Sequence, residues 1–193
     1  MTEQLSLSGF EAAQPTDRLF FAIFPDKDSA TRIAKLALDM RAELGLKGRP
    51  LLTDHFHITL HHMGDYVGLP PSVLAGADEA AANIAVSSFA IAFDRVASFA
   101  GRARNKPFVL RGGDGVDAVI AFQQKLGMAM KRAGLGRWAE SSFTPHVTLL
   151  YDDRSIAERV VNTVSWAPQE FVLVRSKLGQ TQHIRLATWP LHR

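Results

Sequence analysis

The tetrapeptide His57-Ile58-Thr59-Leu60 recurs as His146-Val147-Thr148-Leu149, and this echo constrains the fold more than any other feature of the chain. Side chains on a β-strand alternate between faces, so each His-x-Thr sets an imidazole beside a hydroxyl. Ile58 and Leu60, like Val147 and Leu149, then point the other way, into a core. Both copies lie in apolar, β-prone stretches closed by turn or charged residues, Gly64-Asp65 after the first and Asp152-Asp153 after the second. The bland alternative is two half-buried strands whose histidines complete polar networks.

The surroundings of the motifs repeat as well. Leu19 to Phe24 is a continuous apolar run and reads as a buried first strand. A helix is predicted from Lys27 to Leu44, with Ile33, Leu36, Ala37, Met40 and Leu44 on one face and Gly45 as its stop. The first motif strand follows, over His55 to Met63. Pro71 opens a second helix that runs to about Ala85. Phe89–Phe93 and Lys106–Leu110 read as paired strands joined by a basic, glycine-containing loop. Val116 to Gly134 is a third, amphipathic helix, and the second motif strand covers Pro145 to Tyr151. Strands at Glu170–Ser176 and Ile184–Trp189 close the chain. The predicted class is α+β with an internal duplication, in which a pseudo-two-fold axis brings the two motifs face to face.

With 193 residues and 47% hydrophobic content, the chain can bury one proper core. Residues 1–16 are expected to be a loose leader and residues 17–193 a single bilobal domain. Cysteine is absent, which removes disulfides, thiolate metal sites and a cysteine nucleophile. No apolar run is long enough to span a bilayer, and no signal peptide is read at the start, so a cytoplasmic location without membrane attachment is expected. Net charge is +3, but Arg102, Arg104, Lys106 and Arg111 share one short segment, and Arg175, Lys177 and Arg185 gather near the end. Such clusters attract phosphate backbones, although an ordinary solvated surface explains any one of them equally well.

Two imidazoles suit in-line substitution at phosphorus: one, unprotonated, accepts a proton from the attacking hydroxyl or water, and the other donates one to the departing oxygen. Thr59 and Thr148 are placed to donate hydrogen bonds to the non-bridging oxygens. Gly112-Gly113-Asp114-Gly115 lacks the following Lys-Ser/Thr of a P-loop, and no Gly-x-Ser-x-Gly elbow is present. The sharper rival is a metal site. His55, His57 and His61 would share one strand face, but Thr59 interrupts them and no acidic ligand is near. Neither a metal nor any other cofactor is expected. His55 and His61 are read as lining the cleft mouth, His62 as packing at a strand end, and His183 and His192 as surface residues. Phe20, Phe93 and Phe122 are read as core. Phe56, Phe143 and Tyr151 lie near the motifs, for packing or for stacking on a base.

The paired motifs, the opening Arg18-Leu19-Phe20-Phe21-Ala22-Ile23 and the stretch Phe143-Thr144-Pro145-His146-Val147-Thr148-Leu149 resemble the 2H phosphoesterase superfamily. The branch of closest resemblance is the RNA 2′,3′-cyclic phosphodiesterases, historically called 2′-5′ RNA ligases. Gly48-Arg49-Pro50, Gly64 and Trp189-Pro190-Leu191 add to the likeness, which runs from Asp17 to Leu191. It implies a bilobal α+β fold with two antiparallel sheets around a central cleft and helices outside. It also implies hydrolysis of RNA or nucleotide 2′,3′-cyclic phosphate ends to 2′-phosphates; separately, a monomer with no obligate protein partner is expected. Carried over, His57 with Thr59 forms one catalytic pair and His146 with Thr148 the other; His57 is assigned as proton donor and His146 as proton acceptor, roles that pseudo-symmetry leaves interchangeable in the sequence. The sequence departs from the family where an Arg often follows the second motif (here Tyr151), and where Arg-x-Tyr is usual near the last turn (here Gln182-His183). Arg49, Arg104, Tyr151 and Arg175 are the remaining candidates for holding substrate. Metal-free 2′-5′ ligation, the reverse step with a 5′-hydroxyl, and a non-catalytic RNA- or nucleotide-binding module are the alternatives.

Overall fold

The computed structural model describes residues 13–101 and 105–191. Its elements are β1 (Asp17–Ile23), α1 (Lys27–Leu44), β2 (Ile58–Tyr66), α2 (Pro71–Ala82), β3 (Ile91–Ser98), β4 (Lys106–Arg111), α3 (Asp117–Arg132), β5 (His146–Asp152), β6 (Arg159–Trp166), β7 (Glu170–Lys177) and β8 (Gln182–Pro190). They form two four-stranded antiparallel sheets, ordered β2-β1-β7-β8 and β5-β4-β3-β6. In each sheet the motif strand occupies an edge, and the two edges, β2 and β5, meet.

Helix α1 has the ends its sequence predicts. Asp26 caps it by accepting the Ser29 N–H at 2.7 Å. Gly45 leaves it in the left-handed region at φ 61°, where the Leu46 N–H reaches the Arg41 carbonyl at 3.0 Å. The helices cross between lobes. α1 follows a strand of the first sheet but packs on β5 and β6 of the second, whereas α3 follows a strand of the second sheet and packs on β2 and α2. One continuous apolar core results, holding Phe21, Ile33, Phe108, Phe122 and Phe171 together.

The apolar run in β1 is buried on both faces for different reasons. Leu19, Phe21 and Ile23 enter the main core. Phe20 and Ala22 join Val172 and Val174 in a small second cluster, with Phe24 packed against it, on the opposite face of the same sheet. That second face carries the first motif.

Strand β6 was not among the sequence expectations. Its solvent face is broad, Val160 being 77% exposed, and its edge position leaves only Val164 and Trp166 buried. Helix α2 also stops at Ala82, earlier than its alanine-rich pattern predicts, with Asn83 at its end.

Candidate active site

Both motifs are shaped by the same irregularity. On the first sheet Phe21 lies opposite His61 and Ala22 opposite Thr59, so Leu60 is an extra, bulged residue. On the second, Phe108 lies opposite Leu150 and Val109 opposite Thr148, so Leu149 is the bulge. A bulge inserts one residue and inverts the alternation beyond it. His57 and Thr59, then His146 and Thr148, therefore keep one face, while the residue two beyond each threonine turns into the core.

This inversion corrects the reading of His61 as a cleft residue. Its ring is fully buried, with Nε2 2.9 Å from the Gln123 carbonyl of α3, at the position that Leu150 fills in the other lobe. Gly127 makes room for it, since a Cβ there would stand 3.1 Å from the imidazole. His55 sits in a 3-10 turn (Thr53–His55) before the strand. The shared face proposed for His55, His57 and His61 is thus broken. Among the described residues, no group of three or more His, Cys, Asp or Glu side chains is placed to hold a metal ion.

The two catalytic candidates have matching geometry. His57 Nδ1 lies 2.7 Å from the His55 carbonyl, and His146 Nδ1 lies 2.7 Å from the Thr144 carbonyl. A carbonyl only accepts, so each Nδ1 carries the hydrogen and each Nε2 is left to exchange protons. All four motif side chains are half-buried. His146 is among the charges that depress His57, and the edge strands β2 and β5 that carry the two motifs meet.

Their surroundings differ. Phe20 stacks on His57 at 5.1 Å, with Phe24 at 5.8 Å and the His183 ring edge-on at 5.1 Å. Burial pushes His57 down to about 4, against the pull of its bond to His55, and the charges of His183, His146 and His55 add to the depression. His146 meets the edge of Phe99 at 4.8 Å and pairs across the ladder with Arg111. Burial lowers it too, and the permanent charge of Arg111 acts in the same direction.

The other candidates fare unevenly. Tyr151 is exposed, and the register beyond the bulge returns it to the cleft face opposite Pro107. Arg49 is exposed and lines a separate depression with Arg41, Pro50 and Leu52. Arg104 and His192 lie outside the described residues. Arg175 is not a cleft residue. It sits opposite Leu19, whose side chain enters the main core, and its Nε binds buried Asp17 at 2.6 Å, with Lys177 Nζ at 3.1 Å from the same carboxylate. The Arg175 hydrogen bond is the main reason that Asp17 is held well below the usual carboxylate range. Two cations do lie on this face of the sheet: Arg18, two residues before Phe20 and paired with Asp65, and Arg185, opposite Val174 and over the Phe24 ring at 4.5 Å.

Three further placements complete the surroundings of the motif. His183, expected on the surface, packs against His55 at 4.6 Å and against His57. Phe20 is buried as expected, in the smaller apolar cluster, where it also forms the floor beneath His57. His62 is half-exposed, with Nε2 3.2 Å from Asp65, itself held by a two-pronged Arg18 contact at 2.8 Å.

Two edge strands that meet, each carrying an imidazole and a hydroxyl on the face turned from the main core, make the fold of a 2H phosphoesterase. Residues 24–183 match the 2′-5′ RNA ligase superfamily, and the chain belongs to that family. Its structure is similar to that of E. coli LigT complexed with 3′-AMP (27% identity over 93% of this chain and 100% of that one, TM-score 0.69). It is also similar to E. coli LigT complexed with ATP (25% identity, the same coverage, TM-score 0.67). A protein described as a phosphoesterase gives 26% identity over 93% of this chain and 100% of the other, with a TM-score of 0.71. No curated protein sequence gives a significant match. Among the described residues, no helix is long and apolar enough to cross a membrane.

Proposed function

We propose that this protein hydrolyses RNA or nucleotide 2′,3′-cyclic phosphates to 2′-phosphates through an acid–base pair of histidines, with no metal in the step. The observation that carries this reading is the pair of 2.7 Å contacts from Nδ1 of His57 and of His146 to backbone carbonyls, which leaves each Nε2 to exchange protons, on two edge strands that meet. The LigT complexes with 3′-AMP and ATP support a nucleotide ligand of this class.

In the reaction, Nε2 of His146 removes a proton from water as its oxygen attacks phosphorus. The bond to the ribose 3′ oxygen breaks, and protonated His57 gives that oxygen its proton, leaving the phosphate on the 2′ oxygen. The permanent Arg111 charge beside His146 favours the neutral imidazole that a base must be. Burial holds the free His57 down to about 4, so its acid role requires the bound phosphate's negative charge to raise it. Thr59 and Thr148 donate hydrogen bonds to the two non-bridging oxygens, where charge is held in the transition state.

The test is replacement of each imidazole. H57A and H146A each lose at least about 10³-fold in kcat on a 2′,3′-cyclic nucleotide, since each proton transfer contributes about 10²–10⁴-fold. On a nucleoside 4-nitrophenyl phosphodiester, whose leaving group needs no proton, H57A retains turnover and H146A does not. Equal losses on both substrates would reverse or void the roles, and full activity in either variant would sink the pair. Addition of 5′-hydroxyl RNA tells hydrolysis from ligation by the product formed.

A further inference from the structure

In-line displacement places the attacking water and the leaving oxygen on opposite sides of phosphorus. If His146 serves the water and His57 the 3′ oxygen, the ribose and its base must lie on the His57 side of the cleft. A cavity of about 490 Å³ opens there, lined in part by Phe24, Lys27, Thr31, His55, His183 and Arg185. Its size falls within the range of about 300–1,000 Å³ usual for small-molecule sites. It is linked to His57 by two of its lining residues, Phe24 at 5.8 Å between rings and His183, whose ring meets that of His57 at 5.1 Å.

The cavity wall is suited to a flat, polar-edged ring. His55 and His183 lie 4.6 Å apart with their planes 34° from parallel, giving an aromatic surface, and the Arg185 guanidinium covers Phe24. His183 Nδ1 is buried and has no hydrogen-bond partner within the protein. Such atoms are rare because each carries a desolvation cost, and a bound hydrogen-bonding group removes it. Lys27 brings a positive charge to the same cavity.

We propose that this cavity is the nucleoside subsite and that His183 is its base-reading residue. The inference rests on the cyclic phosphodiesterase reading and assigns that site its nucleoside side. The base lies along the His55–His183 wall, and His183 Nδ1 hydrogen-bonds its polar edge.

Binding separates this proposal from the chemistry. The four nucleoside 2′-monophosphates and inorganic phosphate are titrated calorimetrically into the wild-type protein, H183A and H183L, each checked for folding by thermal melting. H183L keeps bulk against His57 while removing both ring nitrogens. The wild type binds at least one nucleotide at least tenfold more tightly than phosphate, and both variants narrow that ratio at least fivefold. A ratio unchanged in the variants, including a parallel loss of nucleotide and phosphate binding, overturns the subsite. So does a wild type that binds nucleotides and phosphate equally. A wild type that binds neither overturns the proposed function itself.

Discussion

Asp152 ends the second motif strand and binds the segment that leads into the first, so its removal probes how the two motifs are held together. Its Oδ2 accepts the N–H groups of Lys47 and Gly48, both at 2.7 Å, and its Oδ1 accepts that of Arg154 at 3.0 Å. The same segment pairs with the strand again, Leu51 N–H to the Leu149 carbonyl at 2.8 Å. At Gly48 a Cβ would stand 2.0 Å from the Tyr151 carbonyl oxygen, so the two stretches touch backbone to backbone. Hydrogen bonds to a charged group contribute about 1.5–3 kcal/mol each. Lys47 and Arg154 are exposed, so water replaces much of what they lose, whereas Gly48 is half-buried. Asp152→Ala is therefore expected to cost about 3 kcal/mol, or a fall in Tm of about 6–12 °C for a chain of this size.

The pH dependence of that loss follows from the same contacts. Burial alone would raise the Asp152 pKa, but the N–H groups of Arg154, Gly48 and Lys47 outweigh it and hold the carboxyl at about 2. The unfolded value is about 3.9, so the folded state binds this proton less readily. The contribution to stability is complete above the unfolded value and fades as pH falls through about 2. Denaturant unfolding of wild type and variant should show a constant gap from pH 7 to pH 5 that narrows between pH 4 and pH 2. A gap below 1 kcal/mol at pH 7, or one that persists unchanged at pH 2, would refute the reasoning.

Other outcomes follow from the cleft itself. Both catalytic imidazoles are depressed and hence neutral at pH 7, so binding a phosphate anion should raise them and draw a proton from solution; calorimetry of nucleotide binding in buffers of different ionisation enthalpy should show uptake, and zero uptake or release would contradict it. In Arg111→Ala, His146 loses one of the influences that lower it, so the acid limb of the kcat/KM profile should move to higher pH. A limb that stays put or moves down would remove His146 as the base.

Much of this molecule was legible in its sequence, and the failures have local causes. Helix α1 was readable at both ends because its apolar periodicity stops at Gly45, where left-handed backbone is required. The motif strands were readable because their apolar positions alternate. What sequence alternation cannot show is a bulge, which is a property of the pairing. The extra residues at Leu60 and Leu149 turned His61 inward, against the expectation. The consecutive apolar pair Leu149-Leu150 carried a trace of that inversion, since both are fully buried. A third bulge, at Leu186, sets Arg185 opposite Val174 on the cleft face, while Arg175 turns the other way to Asp17. His183 gave no local signal, because its place beside His57 depends on how β8 pairs with β7. Strand β6 was hidden by its exposed edge.

The central claim is that two histidines alone move the protons when a cyclic phosphate opens. Its most direct test is hydrolysis of a 2′,3′-cyclic nucleotide by protein freed of metals with chelator, the product being read by phosphorus NMR. Undiminished turnover with the 2′-monophosphate as the sole product is expected. Loss of turnover that returns on adding a divalent cation, or formation of the 3′-monophosphate, would contradict it.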